Sequence, residues 1–160
     1  MNSLLSPKVK KQIDELLGHY PNKRAALIPA LTIIEEDLGF ISQEAKISLA
    51  EYLDLPPVEV QEVITFYGML HDIPLGKTHF KVCRTLSCAL AGGETILEYL
   101  RDRLGVGPLE VTPDGNFSYE AVECLGSCDT APILMVGKDY FERITQQQLD
   151  TLLRKGGQGG

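Results

Sequence analysis

The first 75 residues place apolar side chains at the three- and four-residue spacing of amphipathic helices. Four helices are predicted, and they begin after Ser6, near Asn22, after Ser42 and at Pro56-Pro57. Pro29 lies inside the second helix, so it is expected to kink that helix or to shift its start. Because short helices cannot each bury an apolar face alone, these four are expected to pack on one another or on a partner. Their apolar positions are Val9, Ile13, Leu16, Leu17, Leu27, Leu31, Ile34, Leu38, Ile47, Leu49, Ala50, Leu53, Val60, Val63, Ile64 and Tyr67.

The second half alternates short apolar strands with helices. Five strands are predicted, and the one at 109–111 would form a hairpin with the one at 117–122 across the turn residues 113–116. One helix is predicted over 89–104, and Thr145 caps a last one. This order indicates a small mixed sheet covered by helices, hence an α+β chain with a helical domain over 1–75 and an α/β domain over 76–160. The other strands are predicted at 79–82, 117–122, 133–136 and 140–141.

Composition and charge exclude several classes of protein. Of the 160 residues, 44% are hydrophobic and 23% charged, as in soluble globular proteins. We find no apolar stretch that reaches the ~18 residues of a membrane span, and the first residues lack the pattern of a secretory signal. The net charge of −7 argues against nucleic acid or anionic lipid as the main partner.

The four cysteines form two pairs, Cys83-x4-Cys88 and Cys124-x3-Cys128. Each pair follows a predicted strand. Two loops at neighbouring strand ends can bring four thiols to one point, which is typical of a metal site or of two disulfides.

The spacing of the cysteines disfavours some kinds of site and leaves two open. Disulfides are disfavoured in a chain with no secretory signal and enough apolar residues for its own core. A thioredoxin-type redox pair needs Cys-x-x-Cys, which is absent. Structural zinc more often uses Cys-x2-Cys knuckles, whereas longer loops suit an iron–sulfur cluster. Zinc and a [2Fe–2S] cluster both remain open, with the cluster slightly favoured.

The cysteine motifs and their surroundings carry a family resemblance. The segments 83–93, 112–117 and 123–132, which include Cys-Arg-Thr-Leu-Ser-Cys and Glu-Cys-Leu-Gly-Ser-Cys-Asp-Thr-Ala-Pro, closely resemble the 24 kDa (E) subunit family of NADH:quinone oxidoreductase, respiratory complex I. Segments 63–67 and 74–76 are also similar to that family. The resemblance therefore covers nearly the whole chain.

The resemblance implies an N-terminal helical bundle followed by a thioredoxin-like α/β domain with a mixed sheet flanked by helices. It implies that Cys83, Cys88, Cys124 and Cys128 bind one [2Fe–2S] cluster and that this chain holds no catalytic residue of its own. FMN and NADH are expected on a partner, the flavin- and NADH-binding F-type subunit, on which the helical half would dock.

The resemblance also implies an electron-transfer subunit in the peripheral arm of a membrane-bound complex. The arm would lie on the cytoplasmic side, or on the matrix side if the source is eukaryotic. Direct membrane insertion and nucleic-acid binding are not expected. The alternatives are an equivalent subunit of an NAD-linked hydrogenase or formate dehydrogenase, or a zinc-stabilised interaction module without a redox role.

Four positions near the motifs lead to further expectations. Ser127 stands where the family more often has alanine, and its hydroxyl is expected to donate a hydrogen bond to a cluster sulfur. Gly92 and Gly93 are expected to let a helix begin close to the first cysteine loop. Pro132 is a candidate for a cis peptide bond. Phe66, with its aromatic neighbour Tyr67, is predicted to lie in the core or at an interface.

Overall fold

The computed structural model describes residues 5–156, which form two compact units with their boundary between residues 74 and 75. Within this part of the chain, no helix combines the length and the apolar character needed to cross a bilayer. The first unit is helical, and the second is built on a mixed sheet.

The helical unit contains α1 (Pro7–Leu17), α2 (Leu27–Leu38), α3 (Gln43–Leu53) and α4 (Pro57–Phe66). The two predicted serine caps are confirmed. The Ser6 hydroxyl accepts a hydrogen bond from the Val9 N–H, and the Ser42 hydroxyl accepts one from the Ala45 N–H, each at 3.2 Å. These bonds satisfy amide groups that the first turn of a helix leaves without a partner.

The second helix begins later than about residue 22, as the proline predicted. A single 3₁₀ turn over Arg24–Ala26 precedes α2, and Pro29 then lies in the first turn of α2, where its missing N–H breaks no helical bond. The apolar faces meet in one core, but three of the predicted apolar positions lie outside it: Leu38, Ile47 and Tyr67 are 36%, 41% and 38% exposed. The fully buried members include Val9, Ile13, Leu27, Leu31, Ile34, Ile41, Leu49, Leu53 and Val60.

The second unit contains β1 (Thr78–Cys83), α5 (Leu86–Leu90), α6 (Gly93–Leu104), β2 (Phe117–Val122), β3 (Leu134–Val136), β4 (Asp139–Phe141) and α7 (Gln146–Gly156). The strands lie in the order β2-β1-β3-β4. β1 pairs with β2 in parallel and with β3 antiparallel, and β3 and β4 form a hairpin. The predicted mixed sheet is therefore confirmed.

Two predicted elements were wrong. The helix expected over 89–104 is broken, because Gly92 adopts a left-handed φ of 97° and separates α5 from α6. The segment 109–111 is not a strand, although the N–H groups of Leu109 and Thr112 donate to the carbonyls of Tyr119 and Phe117 in β2. The strand partner of β2 is β1. Leu109 has a φ of 65°, which is incompatible with extended backbone. The predicted turn before β2 does form, with Gly115 at a φ of 73°.

Helices α6 and α7 pair beside the sheet. Tyr99 donates a hydrogen bond of 2.8 Å from its hydroxyl to Asp150, and Arg103 forms a 2.7 Å ion pair with the same carboxylate. The predicted cap of α7 is confirmed, since the Thr145 hydroxyl accepts from the Gln148 N–H. The core between helices and sheet contains Phe80, Val82, Ile96, Leu100, Phe117, Tyr119, Leu134, Ile144 and Leu149.

Candidate functional site

Both cysteine loops begin at the same edge of the sheet. β1 and β2 are parallel neighbours, and Cys83 at the end of β1 lies opposite Val122 at the end of β2. The Arg84 N–H donates to the Val122 carbonyl at 3.0 Å, so the pairing extends into the first loop. On its other side, the Cys83 N–H donates to the Ile133 carbonyl at 3.1 Å. The two loops are thus fixed side by side, as the sequence predicted.

The first loop turns directly into α5, which carries Cys88, and then into α6. Gly93, the first residue of α6, lies very close to this loop. A Cβ atom at Gly93 would lie 2.9 Å from the Cys88 carbonyl oxygen and 3.0 Å from the Cys83 carbonyl oxygen. The expectation that glycine permits this close approach is confirmed.

The second loop joins β2 to β3 and contains a tight turn after Cys124 and a 3₁₀ turn over Cys128–Thr130. Gly126 adopts a φ of 86°, and its N–H donates to the Cys124 sulfur at 3.4 Å. The sulfurs of Cys124 and Cys128 are 3.6 Å apart. The loop leaves the site through a cis Ala131–Pro132 bond, which confirms the prediction for this proline.

The two pairs of thiols differ in their exposure to solvent. Cys83 and Cys88 are each 1% exposed and pack against the buried Ile133. Cys124 and Cys128 are exposed. A group bound by all four would therefore be covered by the first loop and open to solvent on the side of the second.

Hydroxyl and amide groups surround the sulfurs. Burial raises the pKa of the Cys83 thiol, but hydrogen bonds from the Thr85 hydroxyl, 3.3 Å away, and from backbone N–H groups outweigh this effect, so the pKa is lowered. The Gly126 N–H lowers the pKa of Cys124, and the Thr85 hydroxyl contributes to the same shift. Thr85 thus reaches thiols of both loops, a role that the sequence pattern did not reveal.

The pKa values of the remaining two thiols are raised. Burial is the main reason that the pKa of Cys88 is raised, and the nearby Cys83 adds to it. The pKa of Cys128 is raised because it is hydrogen bonded to Cys124. In each pair the pKa of one thiol is lowered and the pKa of its neighbour is raised, which is the pattern expected where two like charges lie close together.

The donor set suits an iron–sulfur cluster. All four cysteines are free, and the loops that carry them begin side by side at the ends of β1 and β2. Four thiolate sulfurs are the soft donors that a [2Fe–2S] cluster requires, and the residues present are thus suited to that group.

Two oppositely charged residues beside the ligands form an ion pair. The guanidinium of Arg84 binds the Glu123 carboxylate through two nitrogens, at 3.0 Å and 2.6 Å. Arg84 follows Cys83 and Glu123 precedes Cys124, so this exposed pair links the two loops. The negative charge of Glu123 therefore acts on the site together with a positive one.

Ser127 does not act as expected. Its hydroxyl donates a 2.8 Å hydrogen bond to the Glu142 carboxylate and lies 2.8 Å from the Thr130 hydroxyl, rather than donating to a sulfur. The hydrogen bonds from Ser127 and Thr130 lower the pKa of Glu142. Glu142 lies far from the motifs in sequence, and nothing in the pattern indicated this contact.

Large apolar side chains are exposed around the site and on the helical unit. Leu86 and Leu90 of α5, on either side of Cys88, are 75% and 81% exposed. In the helical unit, Phe66 is 80% exposed, although its ring contacts Tyr67 edge to face at 5.1 Å between centroids. The core assignment of Phe66 is therefore wrong, and its assignment to an interface stays a prediction.

Comparison with known proteins identifies the family. Residues 13–156 match the family model of the thioredoxin-like [2Fe–2S] ferredoxins. NADH-quinone oxidoreductase subunit 2 of Thermus thermophilus is 44% identical over 144 residues, which cover 88% of this chain and 80% of the relative. A subunit of the NADH-quinone oxidoreductase of Rhizobium meliloti is 37% identical over 145 residues, 91% of this chain and 86% of the relative.

A solved structure shares the fold. An NAD⁺-reducing [NiFe]-hydrogenase in the air-oxidized state superimposes with a TM-score of 0.72 at 20% identity, over 82% of this chain and 23% of the longer hydrogenase chain. The helical unit, the mixed sheet and the two cysteine loops thus agree with the family match. The chain belongs to the thioredoxin-like [2Fe–2S] ferredoxin family.

Proposed function

We propose that this chain is the [2Fe–2S] subunit of an NADH-quinone oxidoreductase and that it exchanges single electrons with a flavin held by a partner subunit. The observation that carries the proposal is the meeting of four free thiols from two adjacent loops, in a chain 44% identical to a subunit of that enzyme. When bound, the cluster supplies one-electron reduction and oxidation.

We assign the four ligands as two pairs. Cys83 and Cys88 would bind one iron, and Cys124 and Cys128, whose sulfurs are 3.6 Å apart, would bind the other. Support comes from the position of each pair on its own loop and from the lowered pKa of Cys83 and Cys124, because iron is held by thiolates. The Thr85 hydroxyl and the Gly126 N–H would donate to sulfur and so stabilise the added electron.

The exposure of the site supports electron exchange with a partner. Cys124 and Cys128 face solvent, and the exposed Leu86 and Leu90 offer apolar surface beside them. Large exposed apolar side chains mark sites of protein association. The helical unit contributes exposed Phe66, and we propose that it docks on the same flavin- and NADH-binding (F-type) subunit. The complex would place this chain in a peripheral arm, on the cytoplasmic side or on the mitochondrial matrix side.

The proposal predicts a low reduction potential. Four thiolates give the cluster a charge near −2 before reduction, and the carboxylates nearby add no favourable charge. The potential is therefore expected to lie closer to the roughly −400 mV of plant-type ferredoxins than to the Rieske range. A cluster at that potential would store one electron from the flavin rather than act as an obligatory relay.

Reduction by NADH in the presence and absence of the partner tests this function. The purified chain should remain oxidised with NADH alone and should become reduced when the F-type subunit is added, as followed by electron paramagnetic resonance. The Cys128→Ala variant should lose its cluster, whereas the Thr151→Ala variant, changed on α7, keeps all four thiols and should remain loaded. Reduction by NADH without the partner, or full iron content in the Cys128 variant, would refute the proposal.

The alternative that keeps the same electron-transfer chemistry is an equivalent subunit of an NAD-linked hydrogenase or formate dehydrogenase. Only the fold supports it, since the hydrogenase match has 20% identity. The partner that co-purifies with the chain separates these alternatives. A zinc-stabilised module is distinguished by metal analysis.

A further inference from the structure

We propose that Glu142 is a positioning residue for the second cysteine loop, because its carboxylate holds the Ser127 hydroxyl and thereby orders the turn that carries Cys124 and Cys128. The inference rests on the proposed ligation of a metal group by this loop. It goes beyond that proposal by assigning a role to a residue outside both cysteine motifs.

The segment from β4 to the start of α7 runs along the whole second loop. Its contacts with the loop include two side-chain bonds and two backbone bonds. These are Tyr140 hydroxyl to Leu125 carbonyl (3.1 Å), Ser127 hydroxyl to Glu142 carboxylate (2.8 Å), Arg143 N–H to Thr130 carbonyl (2.8 Å) and Ile144 N–H to Pro132 carbonyl (3.1 Å).

The loop needs such support because burial does little to order it. Cys124 and Cys128 are exposed, unlike Cys83 and Cys88, which are enclosed in apolar surroundings. Leu125 and Ala131 are the residues of the loop that pack against the apolar group around Cys83, and both are only partly buried. An exposed turn without a large buried side chain depends on hydrogen bonds for its conformation.

The Glu142 carboxylate can only accept, so the Ser127 hydroxyl donates its one proton to it at 2.8 Å. The Thr130 hydroxyl lies 2.8 Å from the Ser127 hydroxyl and 3.2 Å from the Ser127 carbonyl, within reach of either acceptor. A bond to an ionised acceptor is stronger than one between neutral groups. Glu142 therefore fixes the residue immediately before Cys128.

Two measurements on the purified chain test this role: the rate of iron release to a chelator, and amide hydrogen exchange of residues 124–130. Glu142→Ala and Ser127→Ala should each accelerate both by roughly threefold to tenfold, the range expected for one exposed charge-assisted bond. Because they remove the same bond, the double variant should be no faster than either single one. Glu142→Gln keeps an acceptor oxygen and should restore most of the wild-type rate.

Asp139→Ala is the matched control, since Asp139 is an exposed carboxylate at the start of β4, the strand that Glu142 directly follows. It should leave both rates unchanged. The proposal is overturned if Glu142→Ala behaves as the wild type, if the Ser127 and Glu142 effects add, or if Asp139→Ala has the same effect as Glu142→Ala. If the wild-type chain holds zinc, the proposed function fails, whereas hydrogen exchange still decides the role of Glu142.

Discussion

Replacing Gly93 with alanine tests how closely α6 must approach the first cysteine loop. The added Cβ would lie 2.9 Å from the Cys88 carbonyl oxygen, 3.0 Å from the Cys83 carbonyl oxygen and 3.2 Å from the Cys88 carbonyl carbon. All three atoms belong to backbone, which cannot rotate away as a side chain can. The start of α6 or the loop itself must therefore move by a few tenths of an ångström.

Two opposing terms set the magnitude. Forcing extra carbon into a tightly packed site costs about 1–3 kcal/mol, and contact with backbone atoms places Gly93 in the upper half of this range, at about 2–3 kcal/mol. Alanine at a helical position gains up to about 1 kcal/mol over glycine, and Gly93 has no left-handed φ that would add strain. The net loss is about 1–2 kcal/mol. For a unit of this size, that corresponds to a Tm lower by roughly 4–16 °C.

Thermal unfolding of the loaded chain, followed by visible circular dichroism at the site and by far-ultraviolet signal, measures the effect. Gly68→Ala is the control, because a Cβ there meets no atom within 4 Å. Gly92→Ala separates the causes, since its Cβ meets no atom within 4 Å but its φ is 97°. A Gly93→Ala chain as stable as the wild type, with its site signal intact, would refute the close-approach argument.

Three further results are expected. Arg84→Gln should lower the midpoint potential of the cluster and Glu123→Gln should raise it, each on the order of tens of millivolts, because a screened charge is removed near the ligands. Redox titration of both variants checks this, and in the double variant the two shifts should offset each other. Lys46 binds Asp72 at 2.9 Å and lowers its pKa, so the stability gained from this bond is present above the usual value of 3.8 and lost as the pH falls through the lowered one. Asp72→Asn should therefore lower stability near pH 7 and not near pH 2–3 in urea unfolding. Leu90→Ser should weaken association with the F-type subunit and leave iron content unchanged, as a pull-down with metal analysis would show.

The meeting of the four cysteines could be predicted because it follows from local patterns. Strands that end at Val82 and Val122 bring the following loops together once the strands are neighbours. The roles of Gly93 and Pro132 also followed from their positions beside the loops. These predictions required only the order of elements along the chain.

The errors arose where conformation depends on the tertiary structure. The left-handed φ of Gly92 divides a helix that its apolar pattern shows as continuous, and the φ of Leu109 prevents the expected strand. The contact between Ser127 and Glu142 joins residues 15 positions apart. The exposure of Phe66 was likewise hidden, because the spacing of apolar residues along a helix does not distinguish an exposed side chain from a buried one.

Iron, acid-labile sulfide and zinc analysis of the purified chain, combined with a potentiometric electron paramagnetic resonance titration, tests the central claim most directly. We expect about two irons and two sulfides per chain and a reduced-state signal whose midpoint potential lies nearer to roughly −400 mV than to the positive Rieske range. A colourless chain with one zinc ion, or a cluster with a midpoint above 0 mV, would contradict it.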